Sequence, residues 1–205
     1  MSPTDHFLTP AAAGYRKVRI YPSRGDLKTA RALAKGHTRS GRAVFYVSEI
    51  FPTVLAGAKL IQANLRKIGI RAEIKTFPHP EFLRRLGTPG EPFDLANSIG
   101  FTSGYPDHTV LNFMFNRRYF PPAGCCNVFG FDSPRYSRLL DRADRLSGSA
   151  RFRLYGRIDV DLARQAAPAV PYLLPKTRVL VSRRAACHRF DRPLFDLASV
   201  CLVQH

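Results

Sequence analysis

Residues 42–76 read RAVFYVSEIFPTVLAGAKLIQANLRKIGIRAEIKT, and the change of hydrophobic period within this stretch decides the fold. Arg42–Ser48 is dense in β-branched and aromatic side chains, the composition of a strand. Pro52 stands where a first helical turn tolerates proline. From there Leu55, Leu60, Ile61, Leu65 and Ile68 keep helical spacing up to Gly69, a glycine of the kind that ends helices in a left-handed conformation. Residues 70–76 then alternate apolar and polar, which predicts a half-buried strand. Strand, long helix and strand make a βαβ unit. Its crossover is expected to be right-handed and its strands parallel.

Outward toward the N-terminus, Asp26 is a good cap for a short helix with Leu27, Ala30, Leu33 and Ala34 on one face, ending at Gly36. Residues 1–25 are punctuated by Pro3, Pro10, Gly14, Pro22 and Gly25 and read as an ordered lead-in. Toward the C-terminus, a short helix is expected around Glu81–Leu86 and a third strand over Phe93–Ile99. That strand runs into the loop Gly100–Asp107. A helix starting near Asp107 carries Leu111, Met114 and Phe115. Ser133-Pro134 opens another, and Ser149 a third, which runs to Ala166 and is stopped by Pro168. Residues 169–174 and 177–182 read as two further strands. The class is α/β, a mixed sheet flanked by helices.

Composition narrows the function. With 45% apolar and 23% charged residues the chain can bury a core and is not disordered by composition. No stretch approaches the ~20 apolar residues of a membrane span. The start, Met1-Ser-Pro-Thr-Asp-His, lacks the basic and apolar regions of a signal peptide. The 32 basic residues against 15 acidic leave a net charge of +17, which raises anionic partners. The basic residues come as scattered pairs such as Arg84-Arg85, Arg117-Arg118 and Arg183-Arg184, with no block of like charge and no basic stripe interleaved with stacking aromatics. A solvated basic surface is therefore expected, and nucleic acid is not an expected partner. A basic module binding nucleic acid or an acidic partner is the alternative.

Chemistry-bearing patterns are sparse. There is no G-x-G-x-x-G, Walker A, G-x-S-x-G or H-E-x-x-H. The six histidines are dispersed, and Asp141, Asp144, Asp159 and Asp161 are expected to face water from helices. No cofactor, metal or enzymatic step is expected. The four cysteines lack C-x-x-C spacing. Cys187 and Cys201 flank a proline-containing loop that a disulfide would close, and two buried thiols is the other reading. Cys125-Cys126 reads either as a vicinal disulfide or as one loop thiol beside a buried one, and a redox pair there is a third functional reading. The loop at 100–107 is the richest segment. It follows a strand of an α/β sheet, where ligands bind, and it offers Phe101, Thr102, Ser103, Gly104, Tyr105 and Asp107. On spacing alone it also reads as an ordinary strand-to-helix connection, with Pro106 at a turn and Asp107 as a cap.

Several of these segments, in this order, resemble the family-5 extracytoplasmic solute-binding proteins, the oligopeptide-, dipeptide- and nickel-binding receptors of ABC importers. Ala58–Gly69 followed by Ile70-Arg-Ala-Glu-Ile is similar to the family's helix and strand around "L-x-x-I-G-I". Pro92–Leu95 resembles its "x-Y-D-L" strand, Phe101–Asp107 its "W-x-x-D-Y-P-D-P" loop, and Asn127 with Phe131–Pro134 its "N-x-x-x-x-F-D-D-P". Ala150-Arg151 with Tyr155, Gln165–Pro168, and the opening Thr4–Pro10 fit the same order. The resemblance implies the C-terminal lobe of a type II periplasmic-binding-protein fold: 1–25 a lead-in and hinge segment, 26–182 the α/β lobe, 183–205 a C-terminal segment with a Cys187–Cys201 disulfide. It implies a ligand cleft built from Phe101, Thr102, Ser103, Gly104, Tyr105 and Asp107, with Asn127 beside them. It also implies a peptide or similar small solute, an N-terminal lobe lacking here, ABC permease subunits as partners, and a periplasmic or extracellular, membrane-associated location. Gly104 departs from the family, which often has an aspartate there to pair with a peptide's α-amino group.

Overall fold

The computed structural model describes residues 2–38, 40–97, 109–120, 126–128, 130–174, 180–187 and 199–203. In chain order the elements are β1 (Ser2–Pro3), α1 (Leu27–Ala34), β2 (Arg42–Ser48), α2 (Pro52–Lys67), β3 (Arg71–Phe77), α3 (His79–Leu86), β4 (Leu95–Asn97), α4 (Thr109–Phe115), α5 (Pro134–Arg145), α6 (Gly148–Asp161), β5 (Leu173–Leu174), β6 (Ala185–Ala186) and β7 (Cys201–Leu202). They form two units: Pro22–Gly100, and Met1–Tyr21 with Phe101–His205.

In the unit Pro22–Gly100, β2 is the middle strand of a parallel sheet in the order β3-β2-β4. Arg42 pairs with Arg71 through to Ser48 with Phe77, and Phe45 to Val47 pair with Leu95 to Asn97. Phe45, Tyr46, Val47 and Ser48 are all buried, as a central strand covered on both faces must be. Phe45 and Val47 pack with Val54, Ala58 and Ala72 under α2. Tyr46 lies between the rings of Phe77 and Phe93, and its hydroxyl donates to Glu91. Pro52 opens α2 as its first helical residue. Gly69, at φ +90°, closes it, and the Ile70 amide returns to the Leu65 carbonyl at 3.0 Å, the wrap typical of a left-handed helix end. Asp26 caps α1 through the Thr29 amide at 3.0 Å.

The unit of Met1–Tyr21 and Phe101–His205 is mainly helical. Its core joins Leu8, Leu111, Phe115, Tyr136, Leu140, Leu154, Tyr155, Ile158 and Leu162. β1 pairs antiparallel with β5, and β6 with β7. The Cys187–Cys201 disulfide fastens the second pair. Among the described residues no helix is long and apolar enough to cross a membrane.

Four expectations are corrected. The strand expected over 93–99 is confined to 95–97 where described, because Asp94 bends out of the ladder: its carboxylate accepts the Val44 amide while its own amide donates to the Val44 carbonyl. Of the strands expected at 169–174 and 177–182, Leu173–Leu174 alone is a strand. Residues 180–182 carry none, and 177–179 lie outside the described residues. The third helix starts at Gly148, not Ser149, with Ser147 as its cap residue, and it runs on through one wide turn over Leu162–Ala166. Asp159, expected to face water, is fully buried: the lead-in segment crosses over it, a contact that helical spacing cannot reveal.

Candidate functional site

The carboxyl ends of β2 and β4 are the natural place for a ligand in a parallel α/β sheet. Ser48 is buried there, with its Oγ 2.9 Å from Nδ1 of His79. Asn97, the last residue of β4, donates from its side-chain amide to the Val54 carbonyl at 3.1 Å. That bond ties the strand end to the first turn of α2. The chain then enters the candidate loop. Phe101, Thr102, Ser103, Gly104, Tyr105 and Asp107 lie outside the described residues, as does Cys125.

The segment after the loop is anchored by a polar network. Asn112 on α4 and Asn116, the residue just past its end, stand four residues apart, and the Asn116 backbone amide still donates to the Asn112 carbonyl at 3.0 Å, so the two side chains share a face. The Asn112 amide donates to Asp144 Oδ1 at 3.1 Å and to the Tyr155 hydroxyl at 2.6 Å. Tyr155 in turn donates to Asp144. Burial, and then the bond to Asp144, push the Tyr155 phenol well above its ordinary range and keep it a donor. Asn116 donates to Asp141 at 2.8 Å and to Asn112 Oδ1 at 3.2 Å. Arg118 reaches Asp144 at 2.5 Å and the same Asn112 oxygen at 3.2 Å. Asp141 and Asp144, expected to face water, are half-buried instead, because the buried asparagine amides need acceptors. Asp161 is half-buried too, paired with Arg135 at 2.7 Å.

Asn127 completes this scaffold. It is 1% exposed. Its side-chain amide donates to the carbonyls of Asn116 and Phe131 at 3.3 and 3.0 Å. Its Oδ1 is buried with no partner among the described residues. The backbone amides of Cys126 and Asn127 both donate to the Tyr119 carbonyl. Cys126 is disulfide-bonded, and no described cysteine is free. These bonds tie Asn127 and Phe131 to Asn116, just past the end of α4.

A second buried cluster pins the lead-in segment. His6 Nδ1 is 2.6 Å from Asp159 Oδ2, and Nε2 is 2.7 Å from the Val18 carbonyl. The other Asp159 oxygen accepts the amides of Phe7 and Leu8. A carbonyl can only accept, so Nε2 carries a proton. Burial opposes charge on His6, but the Val18 carbonyl and Asp159 outweigh it and raise the imidazole above its ordinary value. Both ring nitrogens are engaged, which leaves none to act as a base. Sequence reading missed this histidine and the Asn112–Asn116 pair. The four-residue spacing of the asparagines was the available signal. Among the described residues no group of three His, Cys, Asp or Glu could hold a metal ion.

No protein-family model and no curated protein matches the chain. Solved structures do match. The chain has the fold of the family-5 solute-binding proteins, the class to which the ordered segments point. A protein described as clavulanic acid biosynthesis oligopeptide binding protein 2 superposes with a TM-score of 0.84 at 20% identity, over 98% of this chain and 39% of that one. HbpA2 from Haemophilus parasuis matches with a TM-score of 0.75 at 20% identity, over 99% and 40%. The periplasmic binding protein DppA from Helicobacter pylori, ABC-transporter-associated and solved with the peptide STSA, matches with a TM-score of 0.68 at 25% identity, over 82% and 32%. The chain thus spans two fifths or less of the length of these proteins.

Proposed function

We propose that this chain is the C-terminal, ligand-contacting lobe of an extracytoplasmic solute-binding protein that hands a peptide or similar small solute to the permease of an ABC importer. The observation that carries the reading is the fold match to oligopeptide- and dipeptide-binding proteins over nearly the whole chain. The β4 strand end feeds the candidate loop where such a sheet presents its ligands. The role is binding, with no chemical step and no cofactor. Phe101 and Tyr105 supply apolar contact, Thr102 and Ser103 hydrogen bonds, Gly104 close backbone approach, and Asp107 a charge. Asn127 acts on that surface by positioning its scaffold. The N-terminal lobe supplies the opposite wall, and closure of the lobes creates the form the permease reads. The location is periplasmic or extracellular and membrane-associated.

The test is a thermal melt against pools of di-, tri- and oligopeptides, because a ligand bound only by the folded state raises the midpoint. A shift by one class, abolished by Tyr105→Ala with Asp107→Ala, supports the reading. Calorimetry on the chain joined to an N-terminal lobe supplies the overturning result: heats of peptide binding identical with and without the two substitutions would remove these residues from the site.

A further inference from the structure

We propose that a groove between α5 and α6 binds a single-chain anionic amphiphile, an acyl or alkyl chain bearing a phosphate or carboxylate head. The groove has a volume of about 700 Å³. Its floor is apolar: Leu139 and Leu146 are half-buried, and Leu154 and Ile158 are buried. Its rim is cationic: Arg16, Arg142, Arg153, Arg157 and Arg164 are all exposed along it.

The charge on this rim is one-signed because of how the helices use their carboxylates. Asp141 and Asp144 are committed to Asn116, Asn112, Tyr155 and Arg118. Asp159 is buried under the lead-in segment. Asp161, the carboxylate lining the groove, is held by Arg135 and the Tyr136 hydroxyl at 2.7 and 3.1 Å. Among the described residues none of the five rim guanidiniums forms an ion pair with a carboxylate. Arg153 donates to the Ser149 hydroxyl. Arg153 and Arg157 stand four residues apart on one helix face, where like charges oppose helix formation. The fold therefore accumulates unneutralised guanidiniums around an apolar floor. Sequence reading found only scattered basic pairs, because the rim draws on three segments that come together in the fold.

The chemistry of the groove selects its occupant. Guanidinium forks match phosphate and carboxylate oxygens in bidentate fashion. The leucine and isoleucine floor adds the requirement of an apolar body, which inorganic anions and polyanions lack. Concavity favours a free single chain over a bilayer surface.

Isothermal calorimetry on the full chain with monododecyl phosphate below its critical micelle concentration tests this, with inorganic phosphate, dodecyl maltoside, phosphatidylglycerol vesicles and a short DNA duplex as comparisons. One dodecyl phosphate is expected per chain. Arg153→Gln with Arg157→Gln should weaken it about tenfold, the scale of a lost bidentate charge-assisted contact. The exposed pair can be replaced without touching the core, and circular dichroism checks the fold. Leu146→Ser should weaken dodecyl phosphate and leave inorganic phosphate unchanged. The proposal is overturned if dodecyl phosphate binds no better than inorganic phosphate or dodecyl maltoside. Binding that the arginine replacements leave unchanged overturns it as well, as does retention on vesicles or DNA alone.

Discussion

The two units hold themselves together differently. In Pro22–Gly100 the sheet comes from strands separated by one helix each, and its core is formed by residues with clean strand or helix period. In the other unit the decisive contacts join residues distant in sequence: Asp159 accepts from His6, Phe7 and Leu8, 151 to 153 positions away, and β1 pairs with β5. The first unit rests on apolar burial along local elements. The second also depends on a few buried polar pins, and its stability should be concentrated in them.

The largest effect should come from removing the central pin. Asp159→Ala leaves the buried His6 ring and the amides of Phe7 and Leu8 without their shared acceptor, a loss of about 3–5 kcal/mol for a broken buried pair. Urea unfolding should show that loss, and hydrogen exchange should place it in residues 2–21 and 148–166. If β2 loses protection to the same degree, the two units unfold as one and the contrast between them fails. Asp159→Asn keeps an acceptor for Phe7 and Leu8 and should be milder.

Next comes a glycine pair that compares the units directly. A Cβ on Gly156 would lie 2.0 Å from the Gly14 carbonyl oxygen, and one on Gly14 would lie 2.3 Å from that of Phe152. The lead-in backbone lies directly on α6, so alanine at Gly156 forces backbone apart and should cost about 3 kcal/mol, the upper part of the overpacking range. Gly69, in the sheet unit, is left-handed but has open space around it. Gly69→Ala should cost about 1 kcal/mol, the conformational term alone. Equal losses at the two sites, measured by denaturant midpoint, would show that the close approach at Gly156 relaxes freely.

This contrast explains how much was legible beforehand. The βαβ unit could be read from Arg42–Ser48, the α2 spacing and Gly69, because period and punctuation are local. The Asp26 cap was legible for the same reason, and the Cys187–Cys201 pairing came with the resemblance. Asp159 was misread because its helix position is compatible with solvent until the lead-in segment covers it. Gly14 and Gly156 carry no period at all. For the candidate site, only the strand that leads to it was legible and is described, over Leu95–Asn97; Phe101–Asp107 lie outside the described residues. The Asn112–Asn116 pair of the polar scaffold escaped because asparagines also populate loops and caps.

The smallest effect is the pH dependence of the pinned unit, and its sign can be worked out. His6 is raised above its ordinary value of 6.5 in the fold. Its contribution is therefore complete below pH 6.5 and is lost as pH rises through the folded value. Deprotonation leaves Nε2 donating to Val18, so Nδ1 then turns a lone pair toward Asp159. On the acid side two groups oppose one another. Burial acts against ionisation of Asp5, but the amides of Tyr21 and Ile20 outweigh it and lower its carboxyl, so its contribution fades as pH falls below 3.8. Burial raises the Asp159 carboxyl against the pull of His6, so protonating it there favours the fold and offsets part of the loss. The melting midpoint should thus fall on the alkaline side and change little down to about pH 4, near the ordinary carboxylate value. His6→Gln keeps a donor of similar reach without a charge to lose. It should lower the plateau and flatten the alkaline limb. An alkaline limb of unchanged slope in that variant would mean that another group titrates there, and that the histidine pin is a packing contact and not a charged one.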